Sequence, residues 1–448
     1  MAISATGLGS GLDIEGLVTQ LVSAERMPIE QRIFRTERKL TSDISALGFL
    51  KSALSELQAS ADAVSNTATY SQRNATSSDA TKVSVSATDA AALGSYNVDV
   101  NSLATTHSVA IRNQFSSLTE TVGTGTLTFT FGTTGYTAHA NDNASDTYDG
   151  FVAKAGVASK AVTIDGTNNT LAGLRDAINE ADIGVSAAIV NQGSAYRLLL
   201  SSRASGAENS MEISVTDSGD SNNTDGNGLS RLAFNASAGT TNAYQTTAGA
   251  DAAFTINGLS VSSTTNTVTS AVDGLTINLL ATTTAPATIS VSDNAAGVKT
   301  AIGSFVKGYN DFMTKVDNLT AFDATSGVKG PLLGDFTTRT ITGQLRKTLS
   351  AAAAGYVGAY SRMAEIGVAL SSKGKLAVDD TVLSSALKNN FDDVAAVLAR
   401  FAKPSAGSGL SPKSFLDTVP DGTYTVAVSS LATSGKIAAT VPSAGFPI

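Results

Sequence analysis

The sequence predicts an α+β multidomain fold: a discontinuous helical stem, with a coiled-coil-like N-terminal helix and a helical leg, carrying an inserted β-rich head of one or two subdomains. Three observations predict it. Apolar residues recur at helical spacing from residue 12 to 66, alternation of period two replaces it from Lys82 to Asp293, and helical spacing returns from Ala296 to Arg400. Helix, strands, helix is the order left when one domain is inserted into another. Such insertion is easy because the termini of a domain lie close together.

The first helical stretch opens with Ile14, Leu17, Val18, Leu21 and Val22 at helical intervals. Pro28 then predicts a break or a fresh helix start near Met27. Beyond it the spacing tightens to seven, with Ile33, Leu40, Leu47, Leu54 and Ala61 on one heptad position. Leu50, Leu57 and Val64 form a neighbouring stripe, and the position that should also be apolar holds Glu37, Ile44, Lys51 and Gln58. A helix over the 33–64 stretch would span about 48 Å at 1.5 Å per residue. The imperfect seam leaves two readings open, a coiled coil between subunits or packing inside one domain.

Alternation marks Val83, Val85 and Ala87, Tyr96, Val98 and Val100, and Leu127, Phe129 and Phe131. It continues at Val162 and Ile164, Phe254 and Ile256, and Ile289 and Val291, and predicts sheets with one buried face. One helix is expected inside this region, with Leu171, Leu174, Ala177 and Ile178 on one face and Thr170 as N-cap. Asp217 to Gly228 reads as a long polar loop.

Phe305, Tyr309, Phe312, Val316 and Leu319 then form an amphipathic stripe. A second helix is expected over residues 337–354, a hairpin over 367–379 with its turn at 371–375, and a last helix over 381–400. The domain reading is therefore 1–45 as a coiled-coil segment, 46–110 with 290–400 as a discontinuous helical leg, and 111–289 as β-rich head domains. Residues 401–448 read as the start of an additional β-rich segment, because Gly94–Ala110 (GSYNVDVNSLATTHSVA) reappears as Gly422–Ala438 (GTYTVAVSSLATSGKIA), and two readings stay open, a segment cut short or a terminus of a different kind.

Composition narrows the function. The chain has 448 residues, 42% hydrophobic, enough for a sizeable core, and only 15% charged. A net charge of −8 gives no basic footprint for nucleic acid. With no cysteine, disulfides, thiolate zinc sites and cysteine nucleophiles are excluded. The N-terminus lacks the basic and apolar regions of a cleaved signal, and no apolar run is long enough to insert in a membrane.

Chemistry-bearing patterns are sparse. His107 and His139 stand without a motif and are expected at the surface. Gly7, Gly9 and Gly11 have the wrong spacing for a phosphate loop. Asp217, Asp220, Asn222 and Asp225 miss the calcium-loop pattern and read as solvated turns. Asp379–Asp380 and Asp392–Asp393 fall at helix starts, where the macrodipole explains them. No catalytic residue, cofactor site or metal site is expected, and the chain reads as a structural protein, not an enzyme.

Four segments carry a family resemblance: TGLGSGLDIEGLVTQLVSAERMPIEQ (Thr6–Gln31), FVKGYNDFM (Phe305–Met313), GPLLGDFTTRTITGQLR (Gly330–Arg346) and EIGVALSSKGKLAVDDTVLSSAL (Glu365–Leu387). Together they resemble the flagellar filament cap family, flagellar hook-associated protein 2, with Phe305, Tyr309 and Asn310 as signature residues of the leg. Residues 161–190 resemble a strand–helix–strand unit of flagellar head domains. The resemblance implies a secreted protein at the distal filament tip, exported unfolded through the flagellar type III apparatus with an export chaperone, residues 1–45 including the uncleaved export signal. It implies self-association into a plate on helical legs, with flagellin and hook–filament junction proteins as partners. The family usually ends in a long helix paired with the first, and the residues after Arg400 show no such pattern. The alternatives are a surface adhesin for host glycans or mucin, and a flagellin or hook–filament junction protein.

Overall fold

A computed structural model describes residues 14–137, 147–235, 240–353, 358–399 and 425–427. Its α-helices are α1 (Ile14–Ser65), α2 (Thr67–Ser71), α3 (Leu171–Glu180), α4 (Ala295–Thr320), α5 (Phe336–Ser350), α6 (Asp380–Asn389) and α7 (Phe391–Leu398). The chain forms two compact units, Met1–Ser71 with Ala295–Ile448, and Gln72–Asn294.

The helical unit is built on α1 and α4. Ala46, Leu50, Ala53, Leu57 and Val64 of α1 are buried against Val298, Ile302, Phe305, Val306, Tyr309, Phe312, Met313 and Val316 of α4. Their spacing of four and three is the seam of a coiled-coil-like pair. The small residues Ala46, Ala53 and Ser60 share one heptad position, which lets the helices approach closely. At Gly308 of α4 a Cβ would stand 2.5 Å from the Ser60 hydroxyl oxygen and 3.2 Å from the Ser60 Cβ, so the two helices cross closely there. α6 and α7 add Leu383, Ala386, Leu387, Phe391 and Val394 to the same core.

Two helix expectations are corrected. α1 runs unbroken through Pro28. Proline removes one N–H, but residues 21–40 are all exposed, so water can take the carbonyl left free at Ala24. The expected last helix is two helices, parted at Asn390, whose φ of −143° and ψ of 54° are not helical. The side chain of Asp379 caps α6 through the amides of Thr381 and Val382. The hairpin stands where expected, as Val368–Leu370 paired with Leu376–Val378, and α5 covers most of the second expected helix.

Every strand pairing between named strands of the β unit is antiparallel. One sheet runs Arg73–Ser77, Ala287–Asp293, Gly94–Ser102, Ala252–Ile256, Leu259–Ser263. With a smaller sheet of Thr267–Val268, Leu275–Leu279 and Val83–Ala87, it encloses a core of Val83, Val98, Val100, Phe254, Ile277 and Ile289. A second core gathers Phe115, Leu127, Phe129, Ile164, Leu171, Ile178, Leu200, Met211 and Phe234. It lies between the long strand Gly125–Thr137 with its partners, the four-stranded sheet around Thr106–Ile111, and α3. Thr170 caps α3 as expected, accepting the Gly173 amide at 3.1 Å.

The unit boundary differs from the sequence expectation, which attached residues 46–110 and 290–400 to the leg. Strand Arg73–Ser77 closes on Ala287–Asp293 with Arg73 opposite Asp293, and these side chains form an ion pair. Residues 72–110 therefore belong with the sheets, because their strand partners lie at 199–205, 243–247, 252–256, 275–279 and 287–293.

Candidate assembly surface

The signature residues of α4 organise the helical unit. Phe305 is buried in its core. Tyr309, fully buried, donates its hydroxyl to the Gly374 carbonyl at 3.1 Å, and burial pushes its pKa up. Asn310 donates to the Leu376 carbonyl at 2.9 Å and accepts the Leu376 amide at 2.9 Å. One side-chain amide thus pairs with both main-chain groups of one residue, as a neighbouring strand would. The pair of residues clasps the 368–378 hairpin onto α4, and Gly374 reverses the chain at a φ of 73°.

The five predicted seam residues divide. Leu54 and Ala61 are partly buried against the helical core. Ile33, Leu40 and Leu47 are 57%, 54% and 42% exposed, because the buried face of α1 is the adjoining stripe that begins only at Ala46. The preceding turns also expose Leu17, Val18, Leu21, Val22, Met27, Ile29, Phe34 and Ile44. These exposed apolar side chains follow one another closely along a single helix. Charged residues lie between them, Arg26 with Glu30 at 3.4 Å and Lys39 with Asp43 at 3.0 Å. At the base of the exposed stretch, Lys315 of α4 pairs with Glu56 of α1 at 2.7 Å.

Sequence reasoning missed a second apolar group in the helical unit. The segment joining α4 to α5 exposes Phe322, Val328, Leu333 and Phe336 while burying Leu332. It is firmly built: Gly330 donates to the Ala321 carbonyl, and Asp335 caps α5 through the Thr338 amide at 2.7 Å. The Thr338 amide and hydroxyl hold the Asp335 carboxyl below its usual pKa. Period-based reading could not find this group, because its apolar residues follow no period.

His107 is not at the surface, as expected, but fully buried in the β unit. His139, Gly7, Gly9 and Gly11 lie outside the described residues, as does the second repeat copy except Thr425–Ala427. In the polar loop, Asp217 accepts the amides of Gly219, Leu229 and Ser230 at 2.7, 2.6 and 3.1 Å, so its carboxylate is engaged by main-chain donors. Among the described residues no cluster of His, Cys, Asp and Glu is placed to hold a metal ion, and no helix is long and apolar enough to cross a membrane.

Comparison with known proteins matches this architecture. The family model for the N-terminus of flagellar hook-associated protein 2 matches residues 10–107, and that for its C-terminus matches 249–417. The B-type flagellar hook-associated protein 2 of Pseudomonas aeruginosa PAO1 is 32% identical over 409 residues, 88% of this chain and 80% of the relative. Flagellar hook-associated protein 2 of Escherichia coli K12 is 31% identical over 407 residues, 89% and 80% of the two chains. The crystal structure of the D1-D2-D3 domains of the flagellar cap protein FliD from Escherichia coli superposes with a TM-score of 0.60 at 30% identity, covering 79% of this chain and 89% of that one. Identity spread over four-fifths of full-length relatives, through helical and β units alike, places this chain in the flagellar hook-associated protein 2 family.

Proposed function

We propose that this chain caps the distal end of the bacterial flagellar filament, retaining exported flagellin and promoting its folding and polymerisation. The observation that carries the reading is the likeness to a flagellar cap protein through both units of the chain at 30% identity. The names of the relatives favour it over a surface adhesin and over a flagellin or hook–filament junction protein. The work is structural: sequestering and orienting a partner needs no covalent chemistry.

In this reading copies of the chain associate, the β units form a plate, and the helical units descend as legs toward the filament and its junction proteins. The exposed face of α1, with Ile33, Leu40 and Leu47 at its centre, supports this role, since burying each such side chain contributes roughly 1.5–3 kcal/mol. Export would use the type III apparatus and a chaperone, with residues 1–45 as the signal.

A clean deletion tests the cap. Filaments are counted by electron microscopy and monomeric flagellin is assayed in the medium. Few filaments with abundant secreted flagellin is the expected outcome, since export stays intact and polymerisation fails. Normal filaments in the deletion strain would end this reading.

A further inference from the structure

The β unit leaves one strand edge open. Strand Leu259–Ser263 ends the five-stranded sheet and, among the described residues, pairs only with Ala252–Ile256. The two strands join at Asn257 and Gly258, whose φ values of 50° and 81° make a two-residue turn that fixes the register. Leu259 lies opposite Ile256 and Val261 opposite Phe254, so both side chains are on the core side of the sheet. Val261 packs partly against that core, but Leu259 is 74% exposed, because the sheet stops there. Ile256 and Leu259 close the turn as a hydrogen-bonded pair. By the alternation of an antiparallel ladder, the main-chain N–H and C=O groups of Ser260 and Ser262 then point to the open side. Edge strands are commonly blunted by charge, by proline or by a covering group. This one, LSVSS, carries no charge and no proline. The edge strand Val185–Asn191, by contrast, has the main chain of Ala187 taken up by Asn179.

The sequence holds a segment suited to that edge. Residues 422–430 (GTYTVAVSS) repeat Gly94–Ser102 (GSYNVDVNS), the central strand of the same sheet. Tyr424, Val426 and Val428 stand where Tyr96, Val98 and Val100 do. Val98 and Val100 are buried in the first core, whereas Val426 is 61% exposed. Ala427 replaces Asp99, so the second copy of the motif would bring no charge into a contact. We propose that residues 422–430 of one chain add as an antiparallel strand to the Leu259–Ser263 edge of a second copy, setting Val428 over Leu259 and Val426 over Val261. This deepens, and rests on, the reading that copies of the chain associate. The direction follows the first copy of the motif, whose two strand partners are both antiparallel. In this register Thr425 lies opposite Ser262 and Ala427 opposite Ser260, where the outward main-chain groups are. Donor strand and acceptor edge are different surfaces, so the contact is head-to-tail and repeats from copy to copy.

The absence of cysteine permits a direct test on the full chain. Ser262→Cys and Thr425→Cys, both at exposed positions, are made in separate chains, mixed and oxidised, and the cross-linked peptides are mapped by mass spectrometry. Residues directly opposite in a ladder are close enough for a disulfide. Sedimentation velocity of the unsubstituted chain reports self-association. The expected result is a disulfide between the two chains joining positions 262 and 425. Thr425→Cys mixed with Val152→Cys, which is 70% exposed on another strand, should give none. Ser260→Pro in the Ser262→Cys chain removes an outward N–H and should abolish the cross-link. So should Val426→Asp in the Thr425→Cys chain, which leaves the β unit unaltered if the proline variant does not fold. Association without the 262–425 cross-link would overturn the proposal and leave the cap reading standing. Cross-linking of position 262 to itself, the mark of two like edges meeting, would overturn it, as would a cross-link that survives Val426→Asp. A chain that stays monomeric would overturn it too, while filament counts in the deletion strain judge the cap reading separately.

Discussion

Asparagine amides do an unusual share of the fastening in this chain. Asn310 pairs with both main-chain groups of Leu376; Asn179 does the same for Ala187 at 2.9 and 2.9 Å, and Asn266 for Ala104 at 2.7 and 2.9 Å. The side-chain amide reproduces the donor and acceptor of a peptide unit, so one residue can finish a strand edge where no strand is available. At Ala187 it also blunts an edge strand that would otherwise be open to pairing. Asn310→Ala should leave the Leu376 amide and carbonyl unpaired and cost about 2–6 kcal/mol, since each orphaned buried group costs about 1–3 kcal/mol. The check is urea unfolding followed by far-ultraviolet circular dichroism; a midpoint equal to wild type would show that the hairpin does not depend on the clasp. None of these three roles was legible in periodicity, because polar residues inside a helix or loop carry no pattern. Asn310 stood out only through family resemblance, and Asn179 and Asn266 not at all.

At the scale of elements, legibility followed the size of the apolar side chain. The strands with Val, Ile and Phe in alternation, and α3 with its threonine cap, lie where the sequence places them. In α1 the same reading favoured the heptad of Ile33, Leu40, Leu47, Leu54 and Ala61 over the stripe that is buried. The buried stripe alternates Leu50 and Leu57 with Ala46 and Ala53, and alanine weighs little in a count of apolar residues although close helix packing requires it. Pro28 and Asn390 erred in opposite directions. Proline is tolerated where water can serve the freed carbonyl, whereas Asn390 ends a helix that apolar spacing would have carried through. This division of α1 separates two kinds of substitution. Leu57→Ala, in the buried stripe, should cost about 2–5 kcal/mol of stability. Leu40→Asp and Leu47→Asp, on the exposed face, should change the stability of the isolated chain by no more than about 0.5 kcal/mol. They should nevertheless reduce self-association in sedimentation velocity and shorten filaments in a complemented strain. Unaltered assembly and normal swimming with both aspartates in place would remove α1 from the interface.

At the scale of the whole molecule, the inserted arrangement has a mechanical consequence. The two ends of the β unit meet: Arg73 lies opposite Asp293, and Asn294 donates to the Gln72 carbonyl at 3.2 Å. The corresponding ends of the helical unit are also held together, because α2 packs on the core that α4 supplies. Tyr70 is buried there, with its hydroxyl donating to the Val64 carbonyl at 2.7 Å and its ring 6.3 Å from that of Phe391. Each unit thus closes its own chain ends and its own core, and neither should need the other to fold. Replacing residues 72–294 with a short Gly-Ser linker should leave a helical protein that unfolds cooperatively in urea. The excised β unit should fold separately, and the intact chain should show both transitions. A helical remnant that exposes its core, detected as strong binding of a hydrophobic dye without a cooperative transition, would show that the β unit is part of the stem's folding and not an insertion carried by it. If the remnant folds and still associates through α1, assembly belongs to the stem. Loss of association on excision would assign it to the β unit.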